Sequence, residues 1–398
     1  MNLNNIHPEI SPLVSETFEN NILHLSLNSD TTQCSQTESI IWALCKANIS
    51  SIAQIQFQFS TLPESINQNK DDAFVLNCIN TFAEKKLLQL IGSDSVDYPV
   101  DLSSFSHIIS SRGGLFGVSE KGMKRLASGM YFGVCIDEAG SLIAYEFPHL
   151  MTSLWKRSFG DAKKNLDSNE GVIRRFTLTD DGCFNQPELL HTELTNNCHH
   201  LVYDQGDLVG VDTERQGVFV IKPSGEKQFH ALFEKESYHH INSIVKTPEY
   251  WLVLKSIESP ADLTSGFGVF DHDWKPIEAI SLQAERAHDF LLTSAEDNSS
   301  VSFWYCDSNH NHIRHYPSGS SVYVEPEHEL NNTTRGLSES EECWIVGNGL
   351  YGRYYGHKVR DKMLANVNYI DKKSGKIRSK IAVPEAPCCI IPNPAYTF

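Results

Sequence analysis

Four residues recur at comparable places along the second half of the chain: His199, His240, His288 and Arg335, separated by 41, 48 and 47 residues. Each opens or immediately precedes a strand-like run: "HHLVYD", "HHINSIV", "AHDFLLT" and "TRGLSES". Asn242 follows two residues after His240 and shares its side of the strand, and Asp289 is joined directly to His288. Neutral imidazole is the commonest protein ligand for d-block metals. Three histidines converging on one point would hold a divalent transition metal, with iron, zinc and copper all compatible, and leave a position for water or substrate. Asp289 and Asn242 supply a carboxylate and an amide that could fix the imidazole tautomers. The planar fork of Arg335 suits an anionic substrate group. Of the adjacent pairs, His199 is preferred over His200 and His240 over His239, because these two align when the following apolar residues are matched.

Such convergence needs a scaffold that repeats. Beyond residue 100 the chain reads as short strands separated by Gly, Asn, Asp and Ser turns. "DLVGVDTERQGVFVIKPSGEKQFHALF" predicts three strands, with turns at "TERQG" and "PSGE". The four histidine- and arginine-bearing runs are each followed by a second strand: "DLVGVDT", "YWLVLKSI", "SVSFWYCD" and "CWIVGNG". Four strands per unit at a period of about 40–50 residues predict an all-β propeller. "HIISSR" and "SGMYFGV" bring the strand starts to six and imply six blades; irregular first units keep five or seven open. "HIISSR" and "GLFGVSE" fit a closing blade shared by both chain ends. In a propeller the first strand of each blade lines the central channel, so the histidines should meet on its axis.

Residues 1–104 read as an α/β appendage and residues 105–398 as the propeller. In the appendage "NILHLSLN" and "SIAQIQFQF" predict strands. "TESIIWALCKA" predicts a helix with a capping-box-like start at Thr37 and Glu38, and "DDAFVLNCINTFAEKKLLQLIG" a helix ending at Gly92. This region is a candidate surface for a protein partner. "GNGLYGRYYGHKVRDK" predicts a long loop over one channel mouth, whereas "CDSNHNHIRHYP" and "DHDWK" predict turns.

The formal net charge of −17 argues against nucleic acid as a partner. No apolar run approaches the ~20 residues of a membrane helix, and the N-terminal residues lack a signal-peptide pattern. Ten scattered cysteines without a CxxC pair predict reduced thiols and a cytoplasmic setting.

The inner-strand series resembles an uncharacterised bacterial β-propeller family with recurring Asx-x-His-x-Leu, His-x-Asn-Ser, His-Asp and Thr-Arg-Gly motifs. The resemblance covers about Ser106 to Val383. It points to Asn197, His199, His240, Asn242, His288, Asp289 and Arg335, together with "GGLFG" from Gly113 to Gly117. The ring of histidines is also similar in architecture to that of carotenoid-cleaving oxygenases. The function expected is that of a metal-dependent enzyme acting on a small-molecule substrate, with hydrolase or lyase chemistry and oxygenation both open. The alternative is a non-catalytic propeller that binds a partner through its faces.

Overall fold

The computed structural model describes residues 6–10, 14–19, 22–27, 30–46, 52, 55–56, 59, 72–85, 87–92, 98–111, 114–127, 129–147, 171–195, 197–234, 239–257, 264–293, 301–325, 332–350, 365–383 and 386–396. They fall into two compact units, residues up to Gly92 forming one and those from Tyr98 onward, apart from Ala127 and Gly129, the other.

In the first unit the strands Ser15–Glu19, Ile22–Leu27 and Asp30–Cys34 make a meander, and the helix Gln36–Lys46 follows. The capping box uses Glu38 as expected, with Ser35, two residues before Thr37, as its other member. Ser35 Oγ accepts the Glu38 N–H at 3.3 Å, and Glu38 Oε2 accepts the Ser35 N–H at 2.8 Å. "SIAQIQFQF" is helical at its described positions, not a strand. Ile52, Ile55, Gln56 and Phe59 are all buried, and their i, i+3, i+4, i+7 spacing outweighs the local alternation. The next helix, Asp72–Glu84, stops short of Gly92, because Leu88–Gly92 instead pairs antiparallel with Ile6–Ile10.

The second unit is nearly all β, with six four-stranded antiparallel sheets among its described residues. Sheet one comprises Tyr131–Ile136, Leu142–Glu146, Gly171–Phe176 and Glu188–Leu194. Sheet two comprises Leu201–Asp204, Asp207–Asp212, Gly217–Ile221 and Lys227–Ala231, the last three being the strands expected of that segment. Sheet three comprises Ile241–Lys246, Trp251–Lys255, Thr264–Phe270 and Pro276–Glu285. Sheet four comprises Ala287–Leu292, Phe303–Asp307, His312–Tyr316 and Ser321–Tyr323. Sheet five comprises Asn332–Glu339, Cys343–Leu350, Ala365–Asp371 and Ile377–Val383. In the shared sheet, Cys389–Pro392 from the C-terminal end pairs with His107–Ser111, followed by Gly114–Ser119 and Gly122–Ala127. His107 therefore lies on the second strand of its sheet.

The second and third strands of these sheets are apolar on both faces because each sheet packs against its neighbours. Val209, Val211, Val218 and Val220 of sheet two bury against Ile241, Ile244, Trp251 and Phe270 of sheet three. Leu252, Leu254 and Phe267 then meet Phe290, Phe303 and Tyr305 of sheet four. Cys306 and Ile313 meet Leu337, Trp344 and Val346 of sheet five, and Ile345 and Val367 meet Ile109, Phe116 and Ile390 of the shared sheet. Outer strands alternate, as Ile377–Val383 does, with one side to solvent. None of the ten cysteines is disulfide-bonded, and all but the half-buried Cys183 are buried. No described helix is long and apolar enough to cross a membrane.

Candidate functional site

The first strands of sheets one to five lie side by side in series. Four of them break register; in sheet one the shift falls between Tyr131 and Val134, and the other three carry the candidate residues. Pairing shifts between Ile241 and Ser243, between His288 and Leu291, and between Thr334 and Leu337. These β-bulges hold Asn242, Asp289 and Arg335 respectively, and a bulge re-aims the side chains it carries. The backbone is left-handed at His240 (φ 48°) and Asp289 (φ 62°), a conformation uncommon for residues with a side chain.

His199 and His240 come together, with ring centroids 5.4 Å apart. Phe132 of sheet one meets His199 edge-on at 5.3 Å. Gly133 permits that approach: a Cβ there would lie 2.8 Å from the His200 carbonyl carbon. The Arg335 guanidinium hydrogen-bonds Nδ1 of His199. A guanidinium can only donate, so Nδ1 accepts and the ring proton sits on Nε2. The neighbouring pair members are placed differently. His239 has its N–H on Gln216 Oε1 at 2.8 Å and its ring Nδ1 3.1 Å from the Ile257 carbonyl, and His200 Nδ1 is buried without a partner among the described residues.

His288 is held in the opposite tautomer. Its Nδ1 lies 2.8 Å from the Arg286 carbonyl, which can only accept, so Nδ1 carries the proton. Ser308 Oγ is also 2.8 Å from Nδ1, and it donates its own proton to the Thr334 carbonyl at 2.6 Å. Burial, then the nearby Arg335 and His240, holds the His288 imidazole well below its ordinary pKa, so the ring is neutral. Nε2 is thus a bare lone pair with no partner among the described residues.

Asp289 turns back into the scaffold. Its Oδ2 accepts the Gly336 N–H at 2.7 Å, and its backbone N–H donates to Ser243 Oγ at 2.9 Å. Burial pushes its carboxyl up to about 6, against the opposing pull of Arg335, the Gly336 amide and the Cys306 thiol. Asn242 is committed at both ends: Nδ2 donates to the Ala287 carbonyl at 3.0 Å, and Oδ1 accepts the Ser243 hydroxyl at 3.1 Å. Asn242 and Ser243 therefore tie sheet three to sheet four and position Asp289. Sequence reasoning had not singled out Ser243, Cys306, Ser308 or Gly336, because their roles arise only from contacts across sheets.

The expected three-histidine metal centre is not assembled in this form. Among the described residues no group of three or more His, Cys, Asp or Glu side chains could hold a metal ion. His199 Nδ1 is occupied by a guanidinium, whereas the Nδ1–H of His288 on the Arg286 carbonyl leaves its Nε2 open. A permanent cation bonded to one of the proposed ligands opposes a second cation beside it. The loop expected over the channel mouth lies outside the described residues from Tyr351 onward, as do Arg112 and Gly113 of the glycine-rich stretch. Of the stretch from Cys306 to Pro317 expected as a turn, residues 308–311 turn and His312–Tyr316 is a strand, whereas the turn at Asp271–Lys275 is formed as expected, closed by an Asp271 N–H to the Lys275 carbonyl at 3.0 Å.

No protein-family model matches the chain, and no curated protein matches it. Solved structures do. A structure from a nidogen/laminin complex aligns with a TM-score of 0.51 at 9% identity, over 73% of this chain and 99% of that one. A protein of unknown function from Bacteroides caccae aligns at a TM-score of 0.45 and 12% identity, over 72% and 98% of the two chains. Virginiamycin B lyase from Staphylococcus aureus aligns at 0.39 and 11%, over 70% and 74%. The solved neighbours are β-propeller proteins, and at these identities the likeness concerns the fold alone.

Proposed function

We propose that the six four-stranded sheets close into a six-bladed propeller and that the cluster at their first strands is a proton-transfer site for a small molecule with an anionic group. The closure is supported by the shared sheet, whose strands Cys389–Pro392 and His107–Ser111 both lie against Tyr131–Ile136 of sheet one. The single observation that carries the function is the pair of opposite tautomers beside a guanidinium. His288 Nε2 is a base, His199 Nε2–H is a donor, and Arg335 attracts the anion. Such a set suits hydrolysis, or a lyase step that begins with loss of a proton next to the anionic group. His288 removes the proton, Arg335 and His199 orient the anion, and Asn242, Ser243 and Ser308 hold the three bulges in place.

The alternative of a non-catalytic scaffold has less support. Among the described residues of the second unit the exposed large apolar side chains Met123, Leu189, Leu190, Phe229, Ile277 and Tyr323 are distributed over the outermost strands of five different sheets.

Calorimetric titration with a panel of small carboxylates and phosphomonoesters tests the reading. Binding by the wild type that disappears in Arg335→Met supports it. Binding undiminished in Arg335→Met, or none to any member of the panel, contradicts it.

A further inference from the structure

Beside Arg335 lies a row of buried polar side chains that the proton-transfer chemistry does not use. Thr334, Asn348 and Asn366 are direct cross-strand partners on the first three strands of sheet five, so their side chains share one face. Asn368 stands two residues beyond Asn366 on that same face. Thr334, Asn348 and Asn368 are at most 1% exposed. Yet among the described residues Thr334 Oγ1, both side-chain polar atoms of Asn348 and Asn368 Oδ1 have no hydrogen-bond partner. Buried polar groups are nearly always satisfied, by protein, by water or by a ligand. Four orphaned atoms on one continuous face are therefore a gap in the accounting. The same face farther along the sheet is apolar, with Leu337, Val346, Trp344 and Ile370 packed on sheet four, so the polar stretch is not a requirement of blade packing.

The donor and acceptor pattern narrows what fits. The row carries no charge. It mixes amide oxygens, which only accept, with an amide nitrogen, which only donates, and a hydroxyl that does both. A carboxylate there would face other acceptors, whereas hydroxyl groups can satisfy every member. The row crosses three strands, a span of about 10 Å at the usual strand spacing, long enough to meet several hydroxyl groups of one small molecule. From this we infer that Thr334, Asn348, Asn366 and Asn368 form a subsite for the hydroxyl-bearing part of a polyhydroxy acid whose carboxylate is held by Arg335. The inference rests on the anion-binding reading of Arg335 given above.

Ribonate and pentanoate, five-carbon acids that differ in their hydroxyl groups, test it by calorimetry. The wild type should bind ribonate at least tenfold more tightly than pentanoate. Asn348→Leu removes two of the orphaned atoms without adding charge, and Thr334→Val removes a third at nearly constant shape. Each should bring the preference down to within about twofold and leave pentanoate binding unchanged, while the far-ultraviolet spectrum confirms the fold. Arg335→Met should lose both acids. Equal binding of the two acids to the wild type would overturn the hydroxyl subsite and leave the anion site standing. A ribonate preference that survives both row variants would also overturn it, the row then holding water only. Failure of the wild type to bind either acid would overturn the subsite and count against the anion site as well.

Discussion

The Arg335 guanidinium donates to Nδ1 of His199, and this bond, made across 136 residues of sequence, decides what His199 offers a ligand. With Nδ1 accepting, the ring carries its proton on Nε2, which is a donor and not a base. A lysine at 335 has no planar fork with which to hold the imidazole and an anion together. Arg335→Lys should therefore weaken anion binding by about tenfold or more, the equivalent of about 1.4 kcal/mol, with an unchanged unfolding midpoint. Calorimetry and denaturant melts check the two halves separately, and equal affinity in the lysine variant would contradict the role.

His288 is the base in this account. Replacing it by glutamine keeps a hydrogen-bonding side chain but removes the lone pair of Nε2. Turnover of any substrate found for the protein should fall by about 10²–10⁴-fold, with ligand affinity changed far less. A His288→Gln enzyme at wild-type rate would remove His288 from the chemistry.

Asp289 gives the site a pH dependence whose sign follows from its raised pKa. Below about 6 the carboxyl is neutral and the Arg335 charge is undiminished; above it a carboxylate forms next to Arg335. Anion affinity should accordingly fall as pH rises through about 6, and Asp289→Asn should flatten that fall. The folded state also holds this proton more tightly than the unfolded chain. Its contribution to stability is fully present below the ordinary value of 3.8 and is lost as pH rises to about 6. The stability of Asp289→Asn relative to wild type should thus improve between pH 4 and pH 7. Denaturant melts at the two values measure this, and a constant difference would contradict the assignment.

Asn242, expected to fix an imidazole tautomer, has its amide bonded to the Ala287 carbonyl and the Ser243 hydroxyl. Asn242→Ala leaves the buried Ala287 carbonyl without its donor and should cost about 1–3 kcal/mol of stability. Any loss of binding should be recovered at lower temperature, where the strands are held by their own ladders. A variant as stable as the wild type would show that the bond between the sheets carries no weight.

Much of the second unit was legible because blade strands advertise themselves. Valines at 209, 211, 218 and 220 flank a turn, and the same arrangement returns in each unit. The meeting of His199, His240 and Arg335 followed from their spacing alone once four-stranded repeats were assumed. The bulges did not show, because an extra residue in one strand is defined only by the partner it fails to pair with. Without them, Asn242 and Asp289 look like ligand-facing groups when their polar atoms turn to Ala287, Ser243 and Gly336. The guanidinium on His199 was not visible either, because which side chain meets a ring nitrogen depends on a contact made across sheets. In the first unit, "SIAQIQFQF" satisfies strand alternation and helical spacing at once, and burial at Ile52, Ile55 and Phe59 decided for the helix.

The central claim is that two neutral imidazoles are fixed in opposite tautomers beside one guanidinium. Long-range ¹H–¹⁵N correlation spectra of histidine-labelled protein at neutral pH measure this directly, with His199→Gln and His288→Gln variants to assign the signals. The account predicts a neutral His288 with its proton on Nδ1 and a neutral His199 with its proton on Nε2, the latter signal shifting when Arg335 is replaced by Met. A His288 imidazolium, or the same tautomer at both positions, would contradict it.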